Sequence, residues 1–356
     1  NYRFPTLEEG GMTSVIVDGE EWTVEGSITV ENTYSCFIAK SPVFTVTEEL
    51  TDPTLVIEGV NLTLQDNLSF NLYSSKSLYD KEGYGEPYVV FNVNGTEKTV
   101  HPNPQKSTET DYAFTCNNIA PHMIGDDIGF TIYVMNGTQR ITGMSSTYSV
   151  TTYCNKVLEA YTTKSKLTTM IVDLLNYGAA AQNYMDYKTD ALVNAGLSEE
   201  QQSWATEDRA FNDVSEKLYE SEADLDDATF LGAALNLGET VSIRYVFTAE
   251  SLSGLTLKVT DEKGNSWTFT ESDFVPATED GLPANSYSLY CRKLHAGRMS
   301  DKVYATLYRG GKKSMTVAYS IESYASKAGS GTSKLQLLLK AMMKYGDAAR
   351  TIANTQ

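Results

Sequence analysis

The chain has 356 residues, with 46 acidic against 28 basic side chains and a formal net charge of −18. That balance offers no basic surface to neutralise phosphates, which argues against nucleic acid and anionic membrane as partners, and no apolar run approaches the roughly 20 residues of a membrane span. Four cysteines in this length are too sparse for a disulfide framework.

The length suffices for two domains, each with its own core. The sequence starts at Asn1 without an initiating Met or a signal peptide, so it is expected to be a piece of something longer. Its 23 Tyr, its abundant Thr, Ser, Asn and Gly and its acidic surface lean toward a secreted or surface-displayed protein.

Residues 1–54 read as an N-terminal β segment without a counterpart elsewhere in the chain. Short alternating runs at 14–17, 22–24, 28–30, 34–38 and 43–46 predict strands, with a hairpin signal at Asp18-Gly19.

From about residue 55 the chain is written twice. GVNLTLQDNLSFNLY at 59–73 resembles GAALNLGETVSIRYV at 232–246, with Leu64, Ser69 and Phe70 falling on Leu237, Ser242 and Ile243. A strand at 88–93 with Asn94-Gly95 at its turn is echoed at 255–259 with Gly264-Asn265. Tyr112 to Cys116, 118–123 and 128–135 have their echoes in Tyr287 to Cys291, 294–299 and 303–308. A strand at 146–150 runs into a helical stretch with Tyr153, Val157, Leu158 and Tyr161, echoed at 318–325.

The closest echo is the helix that ends each copy, KLTTMIVDLLNYGAAAQNY at 166–184 and KLQLLLKAMMKYGDAARTI at 334–352. Leu167, Met170, Ile171, Leu174, Leu175 and Gly178 recur at steps of three and four, as do Leu335, Leu338, Leu339, Met342 and Gly346. Tyr177-Gly178 and Tyr345-Gly346 are each followed by x-Ala-Ala, small residues that let another backbone approach closely. We expect both helices to be packing posts.

Strands first and helices after predict a mainly β, α+β protein: two tandem, pseudo-duplicated antiparallel β-sandwich lobes, each followed by a helical segment. The expected boundaries are 55–186 for the first lobe, 187–227 for a helical connector and 228–356 for the second lobe. Ser198 and Gln201 form a capping box in the connector, and Leu192, Leu197, Trp204, Phe211 and Leu218 are more apolar residues than a free linker keeps. Cys116 and Cys291 occupy matching places and read as core residues, whereas Cys36 and Cys154 have no counterparts and a bridge between them stays open.

Catalytic chemistry has little to stand on. His101, His122 and His295 lie in different loops without metal-ligand spacing, and no G-x-S-x-G motif occurs. The acidic pairs Asp126-Asp127, Asp226-Asp227 and Glu279-Asp280 sit in turns or the connector, where solvated charge is the ordinary role, and 224–227 lacks the register of a calcium loop. We expect no enzyme activity, no metal and no cofactor.

Aromatic side chains are the remaining signal, because the apolar C–H faces of sugar rings suit Tyr and Trp while polar neighbours take the hydroxyls. The densest cluster is LYDKEGYGEPY at 78–88, with Tyr79, Tyr84 and Tyr88 interleaved with Lys81 and Glu86. Turn-forming Gly83, Gly85 and Pro87 place Tyr79 and Tyr84 in a loop, and Tyr88 begins a strand. Trp267 and Trp22 complete the candidate ligand-binding set, although each lies in a strand where core packing is the alternative. Trp204 reads as glue between connector and lobe.

The recurring order G-x-x-L-x-L, hairpin, Y-x-x-x-C, and the K-L helix ending in Y-G-x-A-A resembles the tandem sandwich-plus-helix repeats of large surface proteins of gut anaerobic bacteria. YKTDALVNAGLSEEQQ at 187–202 is similar to the connector of such repeats, and the resemblance spans about 55–356. Within that group the chain resembles the bilobed starch-binding domain of amylosome starch-adherence proteins. The resemblance implies a non-catalytic module at the bacterial cell surface that binds α-1,4-glucan, such as starch, amylopectin or maltooligosaccharides, in a groove formed by the two lobes. It further implies that other surface or amylosome proteins are met through regions outside this chain. The family motifs are architectural and assign no ligand residue here. The competing expectation is a structural spacer or protein-interaction module of a large surface protein.

Overall fold

A computed structural model describes the strands within 14–40 by their backbone, and residues 50–63, 68–117, 119–218, 224–237, 241–329 and 331–353. The chain forms two compact units, 1–51 and 52–356. Among the described residues it is mainly β with five α-helices.

In the first unit β1 (Ser14–Val17) pairs antiparallel with β2 (Glu20–Thr23), placing Val15 opposite Trp22 in the backbone register. β3 (Thr29–Thr33) pairs with β4 (Cys36–Lys40), and β5 (Leu50–Thr51) ends the unit. The strand expected at 43–46 lies outside the described residues.

The second unit opens with β6 (Gly59–Thr63), β7 (Ser69–Ser75), β8 (Tyr88–Val93), β9 (Thr96–Val100), β10 (Asp111–Cys116), β11 (Ile128–Asn136) and β12 (Gln139–Tyr148). One antiparallel sheet runs β10-β7-β6 and another contains β12-β11-β8-β9 in that order. Phe70 of β7 packs edge-on against Phe91 of β8 and Tyr148 of β12, at 5.8 and 5.4 Å between ring centroids, so the two sheets face each other across an apolar core. Then come α1 (Val150–Ala160) and α2 (Lys166–Met185), started by Ser149 and Ser165, whose hydroxyls accept from the amides of Thr152 and Thr168.

The later part of the unit holds β13 (Glu216–Leu218), β14 (Ala228–Leu237), β15 (Val241–Ala249), β16 (Thr256–Asp261), β17 (Ser266–Phe269), β18 (Val275–Pro276), β19 (Ser286–Cys291), β20 (Val303–Arg309) and β21 (Lys312–Tyr319). They form sheets ordered β14-β15-β19-β18 and β13-β21-β20-β16-β17. The last two long helices are α4 (Ile321–Ala328) and α5 (Lys334–Ala353).

α2 and α5 pack along each other, with Tyr177 stacked on Tyr345 at 5.9 Å and 23° between ring planes. The glycine after each tyrosine marks a close approach. A Cβ at Gly178 would collide with Ile124, and one at Gly346 would lie 3.0 Å from the Ala296 carbonyl oxygen. Ile124 directly follows one 3₁₀ turn and Ala296 begins another, so each helix seats a turn against its glycine.

The connector differs from the helix expected of its composition. A single turn, α3 (Glu199–Gln202), carries the Ser198–Gln201 capping box, and the chain then runs extended into β13 on the edge of β21. Trp204 is buried, its carbonyl accepts from Thr169 Oγ1 at 2.9 Å, and the Thr206 hydroxyl donates to Asp173 at 2.6 Å. Hydrogen bonds to the α2 side chains Thr169 and Asp173 and strand pairing with β21 outweigh local helix propensity here. Cys116, Cys154 and Cys291 are buried free thiols, so Cys154 takes part in no bridge. Among the described residues no helix is long and apolar enough to cross a membrane.

Candidate functional site

Alternation along β8 and β11 sorts side chains between two faces. Val89, Phe91, Ile132 and Val134 turn inward and are at most 1% exposed. Tyr88 and Tyr133 turn outward, directly opposite each other in the ladder and half-buried. Their rings lie 5.4 Å apart at 23°. The Arg140 guanidinium of β12 sits 4.8 Å from the Tyr133 ring centre, and the imidazole of His101, one residue past β9, lies 5.9 Å from Tyr88. Four planar groups thus form a row across four strands, on the outside of the sheet. The β11–β12 register slips between Thr131 and Tyr133, and this bulge sets Tyr133 against β12.

The loop at 80–87 leads into Tyr88 and flanks this row. Tyr84 bridges to Asn136 of β11, and the Gly85 amide donates to the Met135 carbonyl at 2.8 Å. Gly83 has φ +84°, and a Cβ there would collide with the Asn136 side chain. The Tyr84 hydroxyl donates to Asp52 at 2.8 Å, and Lys81 binds the same carboxylate while lying 5.4 Å from the Tyr84 ring centre. Thr54 adds its hydroxyl at 2.6 Å and its amide at 3.0 Å. Burial would raise the Asp52 carboxyl, but the hydrogen bonds from Lys81, Thr54 and Tyr84 outweigh it and hold the group well below the usual carboxylate range. Burial, with the bond to Asp52 and its charge, pushes the Tyr84 phenol up to about 12. Glu86 is exposed, with its carboxylate 3.8 Å from His101 Nδ1.

The structure therefore brings together Tyr84, Tyr88, Lys81 and Glu86 of the expected set and adds Tyr133, Arg140 and His101. It separates the others. Tyr79 is not a loop platform: it ends the 3₁₀ turn Lys76–Tyr79, is 7% exposed, shares a 2.7 Å hydrogen bond with the Ser74 hydroxyl and packs edge-on against Tyr112. Burial pushes its phenol up to about 12. Trp267 lies opposite Val259, which is fully buried, so it shares the inward face of its sheet and packs at the edge of the core. Trp22 stands in β2, and its side chain lies outside the described residues.

Tyr133 and Arg140 escape a sequence reading because nothing local joins residue 133 to residue 88. Their only signal is an aromatic at an outward position in IGFTIYVMN, flanked by Ile132 and Val134.

A cavity of about 590 Å³ also lies between α2 and α5, lined by Asn176, Asn183, Asn194, Gln202, Lys344 and Leu337 among others, without an aromatic side chain in its lining. The aromatic row and the cavity between the long helices are thus separate features. Among the described residues no group of three or more His, Cys, Asp and Glu is placed to hold a metal ion. A scan against protein-family models finds no match for this chain, and a search of curated proteins finds none either.

Proposed function

We propose that this chain is a non-catalytic carbohydrate-binding module of a bacterial cell-surface protein, and that it binds α-1,4-glucan along the outward row of Arg140, Tyr133, Tyr88 and His101. The observation that supports this reading is the row itself: two half-buried tyrosines, flanked by the exposed Arg140 and His101, on the solvent side of a sheet, beside the charged Glu86 and the anchored Tyr84. Rings already held by their neighbours lose little rotamer freedom when a ligand arrives, which favours binding. Arg140, Glu86 and the phenolic hydroxyls supply donors and acceptors for sugar hydroxyls. We further infer that 55–186 and 228–356 are copies of one sandwich-plus-helix unit. The matching sheet orders and the paired glycines at 178 and 346 support that descent.

The second reading is a structural spacer, favoured by the fact that members of the row contact one another, since cross-strand aromatic pairs stabilise sheets without any ligand. Retention on insoluble starch, cellulose and mucin separates the two. The glucan reading expects retention on starch alone, roughly tenfold or more weaker in Tyr88→Ala/Tyr133→Ala, and no release of reducing sugar during long incubation. A protein retained on none of the three polysaccharides is a spacer.

A further inference from the structure

The bulge beside Tyr133 has a twin. In β20–β21 the register slips between Thr306 and Tyr308, as β11–β12 slips between Thr131 and Tyr133. Ala305 and Leu307 turn inward and are fully buried, so Tyr304, Thr306 and Tyr308 share the outward face of their sheet. Both tyrosines are half-buried. Four residues of strand hold them about 13 Å apart. Between them Thr306 is buried and shares a 2.7 Å hydrogen bond with Thr316, giving a flat, fixed floor. The Lys302 ammonium lies 5.8 Å from the Tyr304 ring centre. Across the ladder from Tyr308 stand Thr256 and Lys313, where Tyr133 has Tyr88 and Thr142. Tyr308 therefore faces no aromatic ring across its ladder, unlike Tyr133.

We propose that Tyr304 and Tyr308 form a second polysaccharide-binding surface, so that one chain holds one polymer at two places. This rests on the glucan reading of the first row and extends it. The twin bulge places a tyrosine on the outer face of the corresponding sheet in each half, and the second face carries the same chemistry of aromatic ring, hydroxyl and cation. Two tethered contacts convert the second binding event into an intramolecular one, so a long polymer is held far more tightly than a short oligosaccharide.

Calorimetric titration with maltoheptaose, together with retention on insoluble starch, tests this. Wild type should bind about two maltoheptaose molecules per chain, falling to about one in Tyr304→Thr/Tyr308→Thr and to about one in Tyr88→Thr/Tyr133→Thr. Threonine suits a strand, and an unchanged melting temperature and circular dichroism spectrum certify the fold. Retention on starch should weaken at least tenfold in either double variant. One maltoheptaose site in wild type, untouched by Tyr304→Thr/Tyr308→Thr and abolished by Tyr88→Thr/Tyr133→Thr, overturns the second surface and leaves the first standing. Binding of neither maltoheptaose nor starch by wild type overturns both.

Discussion

The hydroxyl of Tyr84 donates to the carboxylate of Asp52 at 2.8 Å, across 32 residues of sequence. Lys81 and Thr54 close on the same carboxylate, so one largely buried acid fixes the loop that flanks the aromatic row.

Asp52→Asn should therefore loosen that loop and flatten part of the acid dependence of stability. A carboxyl held below its ordinary value contributes stability that is fully present above the unfolded value, about 3.9, and is lost as pH falls toward the folded value. Wild type should lose melting temperature as pH drops from about 5 to 2.5, and the variant should lose less. At pH 7 the charge-assisted bonds removed are worth roughly 1.5–3 kcal/mol. Equal slopes for the two proteins would sink this account.

Tyr88 and Tyr133 should prove energetically coupled. In a double-mutant cycle with alanine at each position, unfolding in denaturant should give an interaction term of about 0.5–1.5 kcal/mol. Additivity within a few tenths of a kcal/mol would mean that the stacked rings do not support each other.

Gly178→Ala runs against helix propensity. Alanine inside a helix ordinarily stabilises by roughly 1 kcal/mol over glycine, but here its methyl group collides with Ile124 and crowds Val193, and overpacking of this kind costs about 1–3 kcal/mol. The variant should melt several degrees lower. Gly346→Ala should do less harm, because its methyl group meets the Ala296 carbonyl at 3.0 Å. A stabilised Gly178→Ala protein would show that the seat of α2 yields.

Arg209 spans two helices, with Nη1 2.5 Å from Glu322 of α4 and Nε 2.6 Å from Asp347 of α5. Glu322 is 4% exposed. Burial would raise its carboxyl, but hydrogen bonds from Arg209 and the Asn212 amide outweigh that and hold it below the ordinary range. Arg209→Met should destabilise by about 2 kcal/mol at pH 7, because it removes the charge-assisted hydrogen bonds of a buried carboxylate. The loss should shrink as pH falls below the unfolded value of about 4.3, where that carboxylate protonates. Thermal melts at pH 7 and pH 3.5 measure both quantities, and a loss independent of pH would contradict the pairing.

The helices were legible because their evidence is local. Tyr-Gly-x-Ala-Ala and the spacing of Leu338, Leu339 and Met342 sit within one stretch of chain, and α2 and α5 begin where that spacing begins. The aromatic row was half legible: Tyr84, Tyr88, Lys81 and Glu86 share one loop, whereas Tyr133 joins them through strand register and a bulge, which no short window contains. Tyr79 misled because a 3₁₀ turn swings its ring toward Tyr112, 33 residues onward in sequence. Trp267 and Phe269 alternate along one strand, but alternation alone does not say which face is inward. That was set by Val259 and Leu257 on the neighbouring strand.

β13 belongs by sequence to the connector and by hydrogen bonding to the sheet that follows it, where Lys217 lies opposite Val317. A recombinant fragment begun at residue 228 would therefore leave β21 with bare amides and carbonyls along one edge, a template for pairing with other copies of itself. Fragments meant to stay monomeric should start upstream of Glu216, and the solubility of such nested truncations would report where the second half of this protein begins as a folding unit.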